Sequence, residues 1–286
     1  MEKITHTATL FAEPIYHIGS FPVTNALFTS WITVLILALV VFILRRQIKE
    51  IPKGLQNLVE IILEGALTLC DQITGNRQIT NKVFPFAISI FFYILINNWL
   101  GIMPFGGLGL VETEHGKSAF IPLIRSGTAD INTTFALALI AVLGANFFGI
   151  FTIGLWKTIN KYFNFNAFSG IFTKIRKDPT VLAVAPISFF VGVLEFIAEF
   201  AKVASLTFRL FGNVFAGEVL LLSMSAIFAY LIPIPFLFLE IFVGFIQAFI
   251  FSTLILVYFT IASQDHGEHE EEHKHPEHKA SLRSVT

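Results

Sequence analysis

The sequence predicts an all-α membrane protein: about five spanning helices, the last two forming a long tilted hairpin, plus one amphipathic surface helix. Three observations carry this. Mean hydropathy is +0.73 with 14% charged residues, far from soluble usage. Apolar runs of about 20 residues recur through a chain of 286, which leaves room for five or six spans. Cationic clusters follow the first and third of these runs and thin out elsewhere, the bias expected of cytoplasmic loops.

Composition also excludes classes. A net charge of −1 offers no surface for nucleic acid. The single Cys70 cannot close an intrachain disulfide. No Walker, Rossmann or serine-nucleophile pattern is present, so neither a cofactor nor acyl chemistry is expected, and no metal site is assigned.

In order, residues 1–26 carry charges and Pro14 and Pro22, without the apolar core of a signal peptide, and read as an external N-terminal segment. A single membrane domain then covers 27–264. Leu27 to Leu44 is an unbroken apolar run stopped by Arg45, Arg46 and Lys49, the first span. From Ile51 to Thr74 apolar residues alternate with Gln56, Glu60, Glu64 and Asp71 at helical spacing. Either a helix on the cytoplasmic membrane surface or a packing helix on the water side gives that pattern, and Pro52 fits its first turn. Phe84 to Met103 is the second span, with Asn97, Asn98 and Trp99 at an interface. An external loop follows to about Asp130, where Lys117 and Arg125 are accompanied by acids. Asn132 to Trp156 is the third span, and Lys161, Lys174, Arg176 and Lys177 form the next basic loop.

Val181 to Leu231 poses a length problem. About 50 helical residues would extend ~75 Å against a ~30 Å hydrocarbon core, so the helix either lies strongly inclined or breaks at Gly212-Asn213 or Gly217. Pro233 and Pro235 are expected to force a turn, after which Phe236 to Ala262 runs back. Residues 265–286, rich in His and Glu, read as a disordered cytoplasmic tail. The charge bias puts the N-terminus outside and, after five spans, the C-terminus inside.

The long fourth span carries charge where charge is costly. Glu195, Lys202 and Arg209 recur every seven residues, with Glu199, Ser205 and Asn213 near the same line, so one helix face holds them all. Glu195, Glu199 and Lys202 also fit a self-neutralising ladder. Arg209 does not, because no acid lies three or four residues away, and its counter-charge must come from elsewhere in the chain or from another subunit. Arginine keeps its proton (pKa above ~12), whereas a desolvated glutamate titrates. Glu218, nine residues on, points half a turn away from Arg209. The helix thus separates a permanent cation from a titratable acid, as a proton pathway requires. On the returning helix Glu240 and Gln247 share a face, and the natural partner of Gln247 is Arg209 or Asn213. Glu218 and Glu240 need a register offset to meet, or line one aqueous cleft at different depths.

Ser205-Leu206-Thr207-Phe208-Arg209-Leu210-Phe211-Gly212-Asn213 with Ala216-Gly217-Glu218 resembles the signature of subunit a of rotary ATP synthases. Three further segments agree in the family's order: Asn97 to Pro104, Thr128 to Thr133 and Gln247 to Phe251. The resemblance implies a membrane stator of an F-type ATP synthase with two offset half-channels, partnered by the c-ring, by peripheral-stalk b subunits and by lipid, in a bacterial inner membrane. It implies that Arg209 faces the ring carboxylate and blocks proton leak, with Glu218, Glu240, Gln247, Asn213 and Ser205 on the ion pathway and Glu195, Glu199 and Lys202 in support. It implies no catalysis by the chain itself. Two departures from the family pattern stand out: acids at both Glu218 and Glu240, where members often carry one histidine, and Val203 in place of a proline after Lys202. The rival reading, a self-contained secondary transporter or channel, expects an internal repeat that the two halves lack.

Overall fold

The computed structural model describes residues 9–47, 54–103, 109–114, 117–156, 158, 181–227 and 233–263. In chain order these form the strands β1 (Pro14–Ile18) and β2 (Phe21–Thr24), then the helices α1 (Asn25–Gln47), α2 (Leu55–Thr74) and α3 (Arg77–Ile102). Strands β3 (Gly109–Glu114) and β4 (Lys117–Pro122) and a 3-10 turn at Gly127–Ala129 precede α4 (Ile131–Ile153), α5 (Val181–Ile227) and α6 (Pro233–Ser263). Five of these helices, α1, α3, α4, α5 and α6, are long and apolar enough to cross a bilayer, and the chain is an all-α membrane protein of multi-pass type. The basic loop after α4 and the His-rich tail lie outside the described residues, as does Pro52.

Local chemistry sets the element ends. Gly19, at φ 65°, turns β1 into β2, and the antiparallel pair leads directly into α1. Helix α2 ends on Gly75 in the left-handed region (φ 64°), whose N–H bonds the Asp71 carbonyl. Two residues later Arg77 pairs with Asp71 across that corner. The Asn76 side chain caps α3 by accepting from the Gln78 N–H at 2.9 Å. Asp130 caps α4, its Oδ2 accepting from the N–H and hydroxyl of Thr133. The amphipathic α2 leaves Leu58, Ile61, Ile62 and Leu69 exposed, so its apolar face is not spent on the protein.

The structure removes one of two alternatives and corrects three expectations. Helix α5 does not break at Gly212-Asn213 or at Gly217: its 47 residues are continuous, about 70 Å at 1.5 Å per residue. One or two weak helix formers cost about 1 kcal/mol each, too little to break a helix packed along a face. Pro233 and Pro235 lie in the first turn of α6 rather than in a turn before it, where a missing N–H costs no helical hydrogen bond. The Asn97-Asn98 pair is not at an interface but is buried, at 0% and 1% exposure. Residues 125–130, read as the end of an external loop, are buried as well.

The last two corrections have one cause. Asn97 accepts from the Gly127 N–H at 2.6 Å and from the Ser126 hydroxyl, while Asn98 accepts from the Thr128 hydroxyl and donates to the Gly244 carbonyl at 3.3 Å. A polar turn inside an apolar protein needs such partners. Gly127 has no side chain because a Cβ there would meet Ser30 Oγ at 2.6 Å.

The chain groups into two compact units, Met1–Leu143 with Ile197–Val257, and Gly144–Phe196 with Tyr258–Thr286. In the first, the core is built by Ile94 and Leu95 of α3, Leu206 and Leu210 of α5, and Ala248, Phe251 and Ile255 of α6. In the second, Phe148 packs on Phe259 with ring centroids 5.4 Å apart, and Gly149 lies against the Ala262 backbone with no room for a Cβ.

Candidate functional site

Within the first unit α5 has two unlike faces. Leu206, Leu210, Val214 and Gly217 recur at helical spacing and are buried, so this face packs inward. Ser205, Phe208, Arg209 and Asn213 are exposed. Among the described residues the Arg209 guanidinium has no hydrogen bond and no ion pair. A permanent cation with no counter-charge among the described residues thus sits midway along an apolar helix, between a wholly buried Leu206 and Leu210.

At the edge of the two faces, Asn213 Nδ2 donates to Gln247 Oε1 of α6 at 2.6 Å, one of the two partners expected for Gln247. Gln247 is 2% exposed, and its Nε2 is buried without an acceptor among the described residues. Two turns N-terminal to Arg209 lies Lys202, whose Nζ donates to Glu199 at 2.6 Å, so part of the ladder does neutralise itself. Glu195, seven residues before Lys202, is part-buried and has interactions of its own.

Further along the inward face a cavity of about 360 Å3 opens, lined among others by Asn98, Arg125, Ser126, Glu218, Ser225 and Glu240. At roughly 30 Å3 per water it has space for on the order of ten. Both acids foreseen for an ion pathway therefore line one cleft. Their environments differ. Glu240 is buried, and among the described residues neither of its carboxyl oxygens has a partner; the carboxyl lies against the bare backbone of Gly217, where a Cβ would displace it. Glu218 is held instead by Arg125, whose Nη2 and Nε donate to the same Oε2 at 2.9 and 3.2 Å.

Arg125 is the residue that the sequence reading passed over. It is 5% exposed, and its five N–H donors make five hydrogen bonds to four acceptors: two to Glu218 Oε2, and the others to the Thr9 carbonyl and hydroxyl and the Phe11 carbonyl. A signal for it existed. Glu218 has no basic residue within four positions on either side, so it too needed a cation from a distant part of the chain.

The site can therefore present a fixed positive charge outward from one face of α5 and two titratable carboxyls to a cleft on the other. Among the described residues no group of three or more metal-ligating side chains comes together. The family model for the ATP synthase A chain matches residues 27–260. A relative described as ATP synthase subunit a, from Gloeobacter violaceus, is 33% identical over 245 residues, which is 86% of each chain.

Proposed function

The chain belongs to the ATP synthase A chain family, the membrane stator subunit of F-type ATP synthases, and from that premise we propose how its residues divide the work of passing protons. Two offset half-channels lead protons to and from a carboxylate on the c-ring, so that ion flow is coupled to ring rotation. Arg209 faces the ring. Glu218 and Glu240 serve one half-channel, with Asn213, Gln247 and Ser205 along the pathway near the arginine and Glu195, Glu199 and Lys202 in support.

The observation that carries this reading is the unpartnered guanidinium. A charge at bilayer depth costs at least ~2.5 kcal/mol on insertion scales, and removing that cost requires an anion. None is supplied to Arg209 by the described residues, so a carboxylate on a neighbouring subunit is the economical source. Since the arginine cannot give up its proton while a glutamate can, the first blocks direct passage between the half-channels and the second conducts. The orientation follows the charge bias, with the N-terminus outside and the C-terminus in the cytoplasm of a bacterial inner membrane, and peripheral-stalk b subunits complete the stator.

The test uses the assembled complex in inverted vesicles. Arg209→Ala abolishes ATP-driven proton pumping with the complex still assembled, and pumping at the unaltered rate would reject the stator role. Glu218→Gln slows pumping, and the pair Glu218→Gln with Glu240→Gln slows it further. No effect of the double change on pumping would reject the half-channel assignment.

A further inference from the structure

Arg125 has no role in the reading above, yet it shares the cavity wall with both acids. We propose that Arg125 is a positioning residue of the ion pathway: it fixes Glu218 by Oε2 so that Oε1 alone exchanges protons with the cleft, and the segment Thr9–Glu13 holds it in place. This inference rests on the reading of Glu218 as a pathway group.

The geometry is that of a clamp. Two guanidinium nitrogens converge on Oε2, while Oε1 accepts no hydrogen bond among the described residues. The guanidinium cannot swing away without abandoning Thr9 and Phe11, because every donor is engaged, and the buried arginine has no water within easy reach to replace them. Its backbone is fixed as well: the Arg125 N–H donates to Thr29 Oγ1 of α1 at 3.2 Å.

The N-terminal segment is pinned independently of the arginine. Ala12 N–H donates to Asp130 Oδ1 at 3.3 Å, Glu13 N–H to Asn25 Oδ1 at 3.2 Å, and Asn25 N–H returns to the Glu13 carbonyl at 3.0 Å. The clamp is thus anchored on α1, on the turn before α4 and on the N-terminal segment, and acts on α5. Both members of the pair line the cavity, so the clamp lies on the wall past which a proton moves. Glu240, on the same wall with both oxygens unpartnered among the described residues, is the contrasting acid, held by packing and not by a clamp.

The experiment is a double-mutant cycle read as ATP-driven pumping per assembled complex, with Arg125→Gln, Glu218→Gln and the two combined. Misplacing a reacting group by about 1 Å costs up to ~100-fold, so Arg125→Gln is expected to slow pumping ten- to a hundredfold. If it acts through Glu218, it adds less than about twofold once Glu218→Gln is present. Losses that multiply, or an unaltered rate in Arg125→Gln, overturn the inference and leave the pathway reading standing. An unaltered rate in Glu218→Gln overturns both. Where Arg125→Gln lowers assembly, Arg125→Lys is measured on the same two backgrounds: it keeps the charge but not the fork, and is expected to give an intermediate rate only where Glu218 is present. An equal slowing with and without Glu218 overturns the inference.

Discussion

Arg125 and Arg209 carry the same side chain, and the protein treats them in opposite ways. The first is buried with four acceptors gathered from residues 9, 11 and 218, while the second is exposed and, among the described residues, has none. The difference separates two uses of a fixed charge. Inside the unit it is consumed locally and stiffens what it touches; on the exposed face of α5 it is left uncommitted among the described residues, as the proposed ring contact requires.

The contrast can be broken by stability measurements. Arg125→Ala should leave Glu218 without its cation and a gap at a buried position, a loss of about 3 kcal/mol, seen as a lower unfolding temperature of the chain in detergent. Arg209→Ala should leave that temperature unchanged in the isolated chain, since no contact among the described residues is lost. Equal effects at the two positions would mean that Arg209 is satisfied within its own chain.

A smaller effect is expected at Gly217→Ala, where the new methyl must push aside the Glu240 carboxyl. The obstacle is the end of a flexible side chain, so the fold should survive. Pumping should fall only a few-fold, equivalent to about 1 kcal/mol. A fall as deep as that of Arg209→Ala would place Glu240 on a par with the arginine. The smallest effect belongs to the corner between α2 and α3: Arg77 is 56% exposed in its pair with Asp71, and Arg77→Gln should change neither pumping nor unfolding measurably. It is the solvated ion pair against which the buried one is judged.

The same contrast explains what the sequence disclosed. Runs such as Leu27 to Leu44 are legible because bilayer thickness dictates their length, and the faces of α5 are legible because helical periodicity is local. Asn213 could be matched to Gln247 because both lie on apolar helices that must satisfy polar groups internally. Arg125 was not legible from its neighbours: its carboxylate lies 93 residues away, and it stands in a loop beside acids to which it is not bonded. Asn97 and Asn98 were misread for a related reason. Near the end of a span a polar pair suits an interface as well as a buried turn, and only the fold of residues 125–130 decides between them. The continuity of α5 was open because glycine propensity is a weak term beside packing.

The fastening of residues 9–11 to Glu218 through Arg125 has a consequence for biogenesis. A growing polypeptide emerges N-terminus first. The opening residues must therefore be delivered early and wait while more than 200 others are made, until α5 arrives to supply the carboxylate. Until then the cleft lacks one wall, so on the proposed reading a half-made subunit offers the cell's ion gradient no finished path along which to drain.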